Sequence, residues 1–124
     1  MKRNVQILLF VAFCLIAIPA VSAQSVNGVY ENFSANKQSG DLDGMRVVII
    51  SSGDNHFALV QIAGGGVEEP DPVLVPVTVK GKTVSFTVQD GKYSGRVTAT
   101  RLTLKQEGGS SEILRRKACT TYFR

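Results

Sequence analysis

The sequence predicts an all-β fold: a small antiparallel meander barrel of about eight strands, with a two-sheet β-sandwich as the alternative. Short runs in which apolar and polar residues alternate recur along the chain, and this alternation is typical of half-buried strands. Turns rich in Gly, Asp and Asn separate these runs, and no long segment has a helical period. A meander that closes on itself has no exposed edge, so the barrel is favoured.

Residues 1–23 predict a secretory signal peptide. The segment has a positively charged start, an apolar run over 5–18 that Pro19 ends, and small residues before a cleavage site after Ala23. The run is shorter than the roughly 18 residues that a membrane-spanning helix needs. We therefore expect an exported protein, secreted or periplasmic, without a stable membrane anchor, in which residues 24–124 form a single barrel-like domain.

The N-terminal half of this domain predicts three strands and two long loops. The strands are expected over 26–33, 47–50 and 57–63, and the loops over 34–44 and 64–72. Because binding residues are often carried by loops on a rigid scaffold, both loops are candidates for contact with a partner.

The C-terminal half predicts five strands joined by short turns. The strands are expected over 73–79, 83–88, 93–100 and 101–105, and from Ile113 onward. Pro76 lacks an N–H and therefore predicts an edge position or a bulge in its strand. Asp90-Gly91 predicts a type I′ hairpin turn, because that turn needs positive φ angles. The inward Val, Phe and Tyr residues predict an interior that is mostly filled.

Charge is distributed unevenly along the chain. Residues 24–79 contain two basic and seven acidic side chains, whereas residues 80–124 contain ten basic and three acidic ones. One interpretation is a basic face for an anionic partner. The other is that acidic and basic strands pair across one closed sheet. Nucleic acid is not expected, because the protein is predicted to be exported and few aromatic residues accompany the basic ones.

The candidate binding residues are Arg96, Arg101, Arg115 and Arg116. Arginine binds carboxylate and phosphate groups through two parallel hydrogen bonds, which lysine does not do. Arg96 and Arg101 flank a hairpin, so we expect them to be neighbours across it. Arg115 and Arg116 are adjacent in a strand and should point to opposite faces, so at most one of them joins the same patch. The expected partner is an unknown protein or an anionic envelope component.

No catalytic or metal-binding constellation is recognisable, so we expect a protein that is not an enzyme and holds no cofactor. His56 is the only histidine, and no Cys/His spacing suits zinc. Asp41 and Asp43 could begin a calcium loop, but the later positions of that pattern are not met, and a turn stabilised by Asp side chains is preferred. Cleavage of the signal peptide would leave Cys119 as the only cysteine, which excludes an intramolecular disulfide.

Gly28-x-Tyr30, at the start of the expected barrel, resembles the Gly-x-aromatic first strand of lipocalin-like proteins. The chain differs from the usual lipocalin in having no Trp and, after cleavage, no cysteine pair. The functional expectation is a small exported, non-catalytic binding module that contacts a protein or cell-envelope partner through loops and outer strands. The alternative is a carrier of a small apolar ligand inside the barrel.

Overall fold

The computed structural model describes residues 25–118, which form nine β-strands and no helix. The strands are β1 (Gly28–Glu31), β2 (Ser34–Ala35), β3 (Leu42–Ser52), β4 (Asn55–Gly64), β5 (Val73–Lys80), β6 (Thr83–Val88), β7 (Gly91–Val97), β8 (Arg101–Gln106) and β9 (Ser111–Lys117). The predicted signal peptide, residues 1–23, and Cys119 lie outside the described residues. Within the described part of the chain there is no helix with the length and apolar character needed to cross a membrane.

Eight of these strands form a closed antiparallel barrel. From β3 to β9, each strand pairs with the next one along the chain, and β1 pairs with both β9 and β3, which closes the ring. The two-residue strand β2 also pairs with β3, next to the segment that β1 occupies. The meander barrel predicted from the sequence is confirmed, and the chain does not adopt the alternative two-sheet sandwich.

The alternation of residues along each strand places one apolar set inside the barrel. In β3, for example, Met45, Val47 and Ile49 are buried, whereas the residues between them are not. Every barrel strand contributes to a single buried cluster of apolar side chains inside the barrel. Full burial of a large apolar side chain contributes about 1.5–3 kcal/mol to stability. The cluster consists of Val26, Tyr30, Met45, Val47, Ile49, Ala58, Val60, Val75, Val77, Val84, Phe86, Val88, Tyr93, Val97, Leu102, Leu104 and Leu114.

The predicted hairpin between β6 and β7 is present, but its turn begins one residue earlier than predicted. Gln89 and Asp90 have positive φ angles of 48° and 63°, and Gly91 pairs with Val88 as the first residue of β7. The core sets this register. Phe86 and Tyr93 are buried and lie opposite each other, so Val88 pairs with Gly91 and two residues remain for the loop. The sequence places the turn at Asp90-Gly91 because glycine adopts positive φ most easily.

The expected loop over 34–44 is interrupted by strand structure at both ends. It contains β2, and its last three residues already belong to β3. Asp43 pairs with Gly64, and Gly44 pairs with Ala63, so the β3–β4 ladder continues past the apolar residues. Asp and Gly are poor strand formers, and main-chain pairing with β4 overrides that preference here.

Candidate functional site

The outer side of strands β7 to β9 carries six exposed cations. Two of them, Lys92 and Lys117, form ion pairs with Glu107 and Glu31, and we call the other four the basic face. They are Arg96 on β7, Arg101 and Lys105 on β8, and Arg115 on β9. They point outward because they alternate with buried core residues on the same strands, as Arg101 does with Leu102. Three of the four arginines nominated from the sequence therefore share one surface, and Lys105 joins them.

Strand register determines the spacing of these cations. Arg101 lies directly opposite Arg115, whereas Arg96 lies opposite Thr103 and therefore diagonally from Arg101 and Lys105. Cβ atoms are about 4.5–5.5 Å apart in a direct pair and about 7–8 Å apart or slightly less in a diagonal one. Arg96 and Arg101 are thus diagonal neighbours across the hairpin, and the direct neighbour of Arg101 is Arg115, which the sequence did not indicate.

None of the four cations of the basic face forms an ion pair within residues 25–118. Glu31 lies opposite Arg115 in register, but its carboxylate is 2.8 Å from Arg46 Nε and 3.7 Å from Lys117 Nζ. Like charges directly opposite each other on neighbouring strands destabilise the pairing. An anion bound between Arg101 and Arg115 would relieve that repulsion.

The two interpretations of the uneven charge can be compared in the structure. Between described residues, the ion pair of Lys117 with Glu31 is the one that joins the basic half to the acidic half. The others lie within one half: Arg46 with Glu31, Arg46 with Glu69, and Lys92 with Glu107. Pairing across the sheet therefore leaves the basic face uncompensated within the described part of the chain.

Arg116 does not belong to the basic face. It is half-buried on the opposite side of β9 from Arg115. Its Nη2 donates hydrogen bonds to the main-chain oxygens of Ser25, at 3.0 Å, and Asn27, at 2.6 Å. Its guanidinium carbon also lies 5.4 Å from the ring centroid of Tyr30. These contacts fasten the segment before β1 to the last strand.

The Gly28-x-Tyr30 motif belongs to the same arrangement. A Cβ atom at Gly28 would lie 3.0 Å from Arg116 Nε, so a larger residue there would displace the arginine. The Tyr30 side chain is fully buried, and its hydroxyl donates a hydrogen bond of 2.7 Å to the main-chain oxygen of Val26. The motif therefore has a structural role in holding the start of the barrel.

A polar cluster around Arg46, on the outer side of β3, was not found by sequence reasoning. Arg46 Nε donates to Glu31 at 2.8 Å, and Nη1 donates to Gln61 at 3.0 Å and to Glu69 at 3.1 Å. Burial lowers the pKa of Arg46, but the hydrogen bonds to Glu31 and Glu69 outweigh it and hold the pKa above its ordinary value. Gln61 Nε2 also donates to the main-chain oxygen of Pro70 at 2.7 Å. The cluster fastens the acidic loop after β4 to the barrel wall.

Local hydrogen bonds organise the loop between β2 and β3. Asn36 Oδ1 accepts hydrogen bonds from the main-chain N–H groups of Gln38, at 2.8 Å, and Ser39, at 3.2 Å. Ser39 Oγ donates to the Asp41 carboxylate at 2.8 Å. The loop is thus a turn stabilised by side chains, as the sequence predicted, but the main acceptor is Asn36 and not an Asp side chain. Among the described residues, no group of three or more His, Cys, Asp or Glu side chains is placed to hold a metal ion.

A cleft of about 680 Å³ lies where β5 and β6 separate. β5 pairs with β4 over Val73–Val77, but its pairing with β6 covers only Thr78–Lys80. Pro76 lies in the separated part of β5, and its missing N–H cannot contribute to a ladder with β6. The sequence predicted an edge or a bulge at Pro76. Pro76 pairs with Phe57 of β4 on one side and borders the cleft on the other, so this part of β5 resembles an edge strand.

Two aromatic rings and two lysines contribute to the wall of this cleft. The rings of Phe86 and Tyr93 stack with centroids 5.5 Å apart and planes 18° apart. Burial, together with the charge of Glu112, raises the pKa of Tyr93 above its ordinary value. Lys92 and Lys105 line the cleft as well, so the cleft adjoins the basic face at Lys105.

No family model, no curated protein and no solved structure matches this chain significantly. The basic face and the cleft are therefore the features from which a function can be inferred. Sequence reasoning identified the arginines of the basic face but missed the cleft. A proline within a regular run of alternating valines, at Pro76, is the signal that would have indicated it.

Proposed function

We propose that this protein is a small exported, non-catalytic binding module that holds an anionic partner, a protein or a cell-envelope component, on its basic face. The observation that carries the proposal is the direct opposition of Arg101 and Arg115, with Arg96 and Lys105 beside them. Two guanidinium groups on directly opposite residues are close enough for both to donate to one carboxylate or phosphate group.

Several features of the surface favour anion binding. The cations project from paired strands of a closed barrel, so their main-chain positions are held before a partner arrives and little ordering is needed on binding. Hydroxyl groups of Ser94 and Thr103 lie between the cations on the same outer face and provide additional donors. A carboxylate or phosphate group there would meet charge and hydrogen-bond donors together.

The buried cluster inside the barrel supports a binding module in preference to the alternative, a carrier of a small apolar ligand. A carrier needs an apolar cavity of about 300 Å³ or more inside the barrel. Side chains from all eight barrel strands form one buried cluster here. The pocket lined by Met45, Ile62 and Tyr93 at one end of the barrel has a volume of about 200 Å³, which is smaller than a carrier needs. Binding on the outer surface requires no such space.

Binding of the purified protein to polyglutamate at increasing salt concentration tests the proposal. We expect Arg115→Glu to weaken binding about tenfold, equivalent to about 1.4 kcal/mol. Lys37→Glu is the matched control, because it changes the net charge equally but lies in the loop between β2 and β3. We expect the control to weaken binding less than about twofold, because exposed charges beyond about 10 Å are screened by salt.

A second pair of variants separates arginine geometry from charge. Arg101→Lys combined with Arg115→Lys retains both charges but loses the planar donors, and we expect intermediate affinity. Equal weakening by Arg115→Glu and Lys37→Glu would show that only net charge matters, and it would overturn the proposal.

A further inference from the structure

We propose that the cleft between β5 and β6 accepts an extended, acidic segment of a partner polypeptide, which adds as a strand to the open side of β5. The acidic character of the partner rests on the proposed function. The inference adds that the partner is a polypeptide. Its basis is the early end of the pairing between two strands that are neighbours in the ring.

The separated part of β5 is a strand with one vacant side. Val73–Val77 pair with β4, and within the described residues they have no partner on the side of β6. β6 is in the same situation beyond Ser85, since Phe86–Val88 pair with β7 alone. Strands that lack a partner on one side present main-chain donors and acceptors, and an extended peptide satisfies them by adding to the sheet.

The side chains of β5 suit an added strand. Leu74 is 59% exposed and Val73 is 37% exposed, although both lie in a strand of a closed barrel. Leu74 is directly opposite Leu59 of β4, so it already has an apolar neighbour on the paired side. A strand added on the vacant side would place one of its own outward side chains beside Leu74.

Charge on the other wall of the cleft indicates that the segment is acidic. Lys92, Lys105 and Glu107 line the cleft, and Lys92 Nζ is 3.6 Å from the Glu107 carboxylate. Lys105, which also belongs to the basic face, forms no ion pair among the described residues and is the cation open to an acidic partner. Hydroxyl groups of Ser85, Thr87 and Ser94 line the same wall. An acidic side chain of an added strand would meet ammonium and hydroxyl donors there, and the rest of the partner could continue over the basic face.

The dimensions agree with a short peptide. The unpaired side of Val73–Val77 spans about 16 Å at roughly 3.3 Å per residue, and Pro76 and Val77 at its C-terminal end line the cleft. The cleft volume of about 680 Å³ lies within the range of about 300–1,000 Å³ that is usual for ligand sites. An anionic carbohydrate would satisfy the lysines but not the regularly spaced main-chain groups of β5, so we favour the polypeptide.

The test uses a capped heptapeptide of alternating Glu and Val and two N-methylated versions of it. One version is methylated on the Val nitrogens and the other on the Glu nitrogens, so charge and side chains are unchanged while alternate main-chain donors are lost. We expect the parent peptide to bind and at least one methylated version to bind about tenfold more weakly, measured by calorimetry. Within Val73–Val77, only alternate N–H groups face the vacant side, because the others face β4. Amide hydrogen exchange of either Leu74 or the set Val73, Val75 and Val77 should therefore slow when the parent peptide binds.

Matched protein variants locate the binding site. Leu74→Glu should weaken binding of the parent peptide about tenfold. Val67→Glu, at an exposed apolar residue in the loop between β4 and β5, away from the cleft and the basic face, should weaken it less than about threefold. Equal binding of all three peptides, or no binding by any of them, would overturn the inference. If the peptide does not bind and an oligogalacturonate binds more weakly to Leu74→Glu than to Val67→Glu, the occupant of the cleft is an anionic carbohydrate, and the inference is overturned.

The inference and the proposed function can fail separately. If Arg115→Glu weakens polyglutamate binding while N-methylation has no effect, the basic face stands and the strand addition is wrong. If N-methylation weakens binding while Arg115→Glu behaves like Lys37→Glu, strand addition stands and the role of the basic face is wrong.

Discussion

Gly95 offers a direct test of how closely β7 and β8 pack beneath the basic face. It lies between Ser94 and Arg96 on β7 and pairs with Leu104 of β8. A Cβ atom at this position would collide with the main-chain oxygen of Thr103 and would lie 2.9 Å from Leu104 Cδ2. The main-chain oxygen belongs to the sheet and cannot rotate away, so Gly95→Ala must push the two strands apart.

The magnitude follows from overpacking. Adding a carbon atom to a closely packed site costs about 1–3 kcal/mol. Each hydrogen bond that lengthens as the strands separate costs about 0.5–1.5 kcal/mol more. We therefore expect Gly95→Ala to lower the free energy of unfolding by about 3 kcal/mol, measured by urea denaturation. For a domain of this size, each kcal/mol lowers Tm by about 4–8 °C.

Gly64→Ala is the control, because it makes the same substitution in strand β4 with no atom within 4 Å of the new Cβ. We expect it to change the free energy of unfolding by less than about 0.5 kcal/mol. Equal midpoints for the two variants, at unchanged slope, would refute the packing argument.

Two further predictions concern Arg116 and Tyr93. Arg116→Gln should lower the free energy of unfolding by about 2 kcal/mol, because the main-chain oxygens of Ser25 and Asn27 lose their donor. Arg115→Gln should change it by less than about 0.5 kcal/mol, and equal effects in urea denaturation would contradict the structural role of Arg116. Folding raises the pKa of Tyr93, so the folded state keeps the phenolic proton to higher pH than the unfolded state does. The neutral phenol of Tyr93 therefore contributes fully to stability below pH about 10, and this contribution is lost as pH rises through the pKa of the folded state. Glu112→Gln should lower the midpoint of the Tyr93 absorbance titration only in part, because burial is the larger cause, and an unchanged midpoint would exclude the Glu112 contribution.

Local patterns in the sequence predicted most strands and part of the basic face. The alternation of Val84, Phe86 and Val88 identified a strand without knowledge of its neighbours. The same rule predicted that Arg115 and Arg116 point to opposite faces, and the structure has Arg115 on the outer face and Arg116 on the other. These predictions succeed because alternation is a property of one strand and needs no information about the rest of the chain.

The Arg46 cluster shows why other residues could not be found in this way. Glu31 and Glu69 are far from Arg46 in sequence and come together only through strand pairing and the course of a loop. Alternation predicts that Arg46 points outward from β3, but it does not identify acceptors on other elements.

By itself, the sequence determined that the described chain is all-β, which face of most strands points inward, and that basic residues are concentrated in its second half. Only the tertiary structure decided that the ring closes through β1, that Arg101 meets Arg115, and that β5 and β6 separate at Pro76. The reason is that side-chain alternation is encoded by neighbouring residues. Register and closure, in contrast, depend on main-chain pairing and core packing between residues far apart, such as Val29 and Lys117.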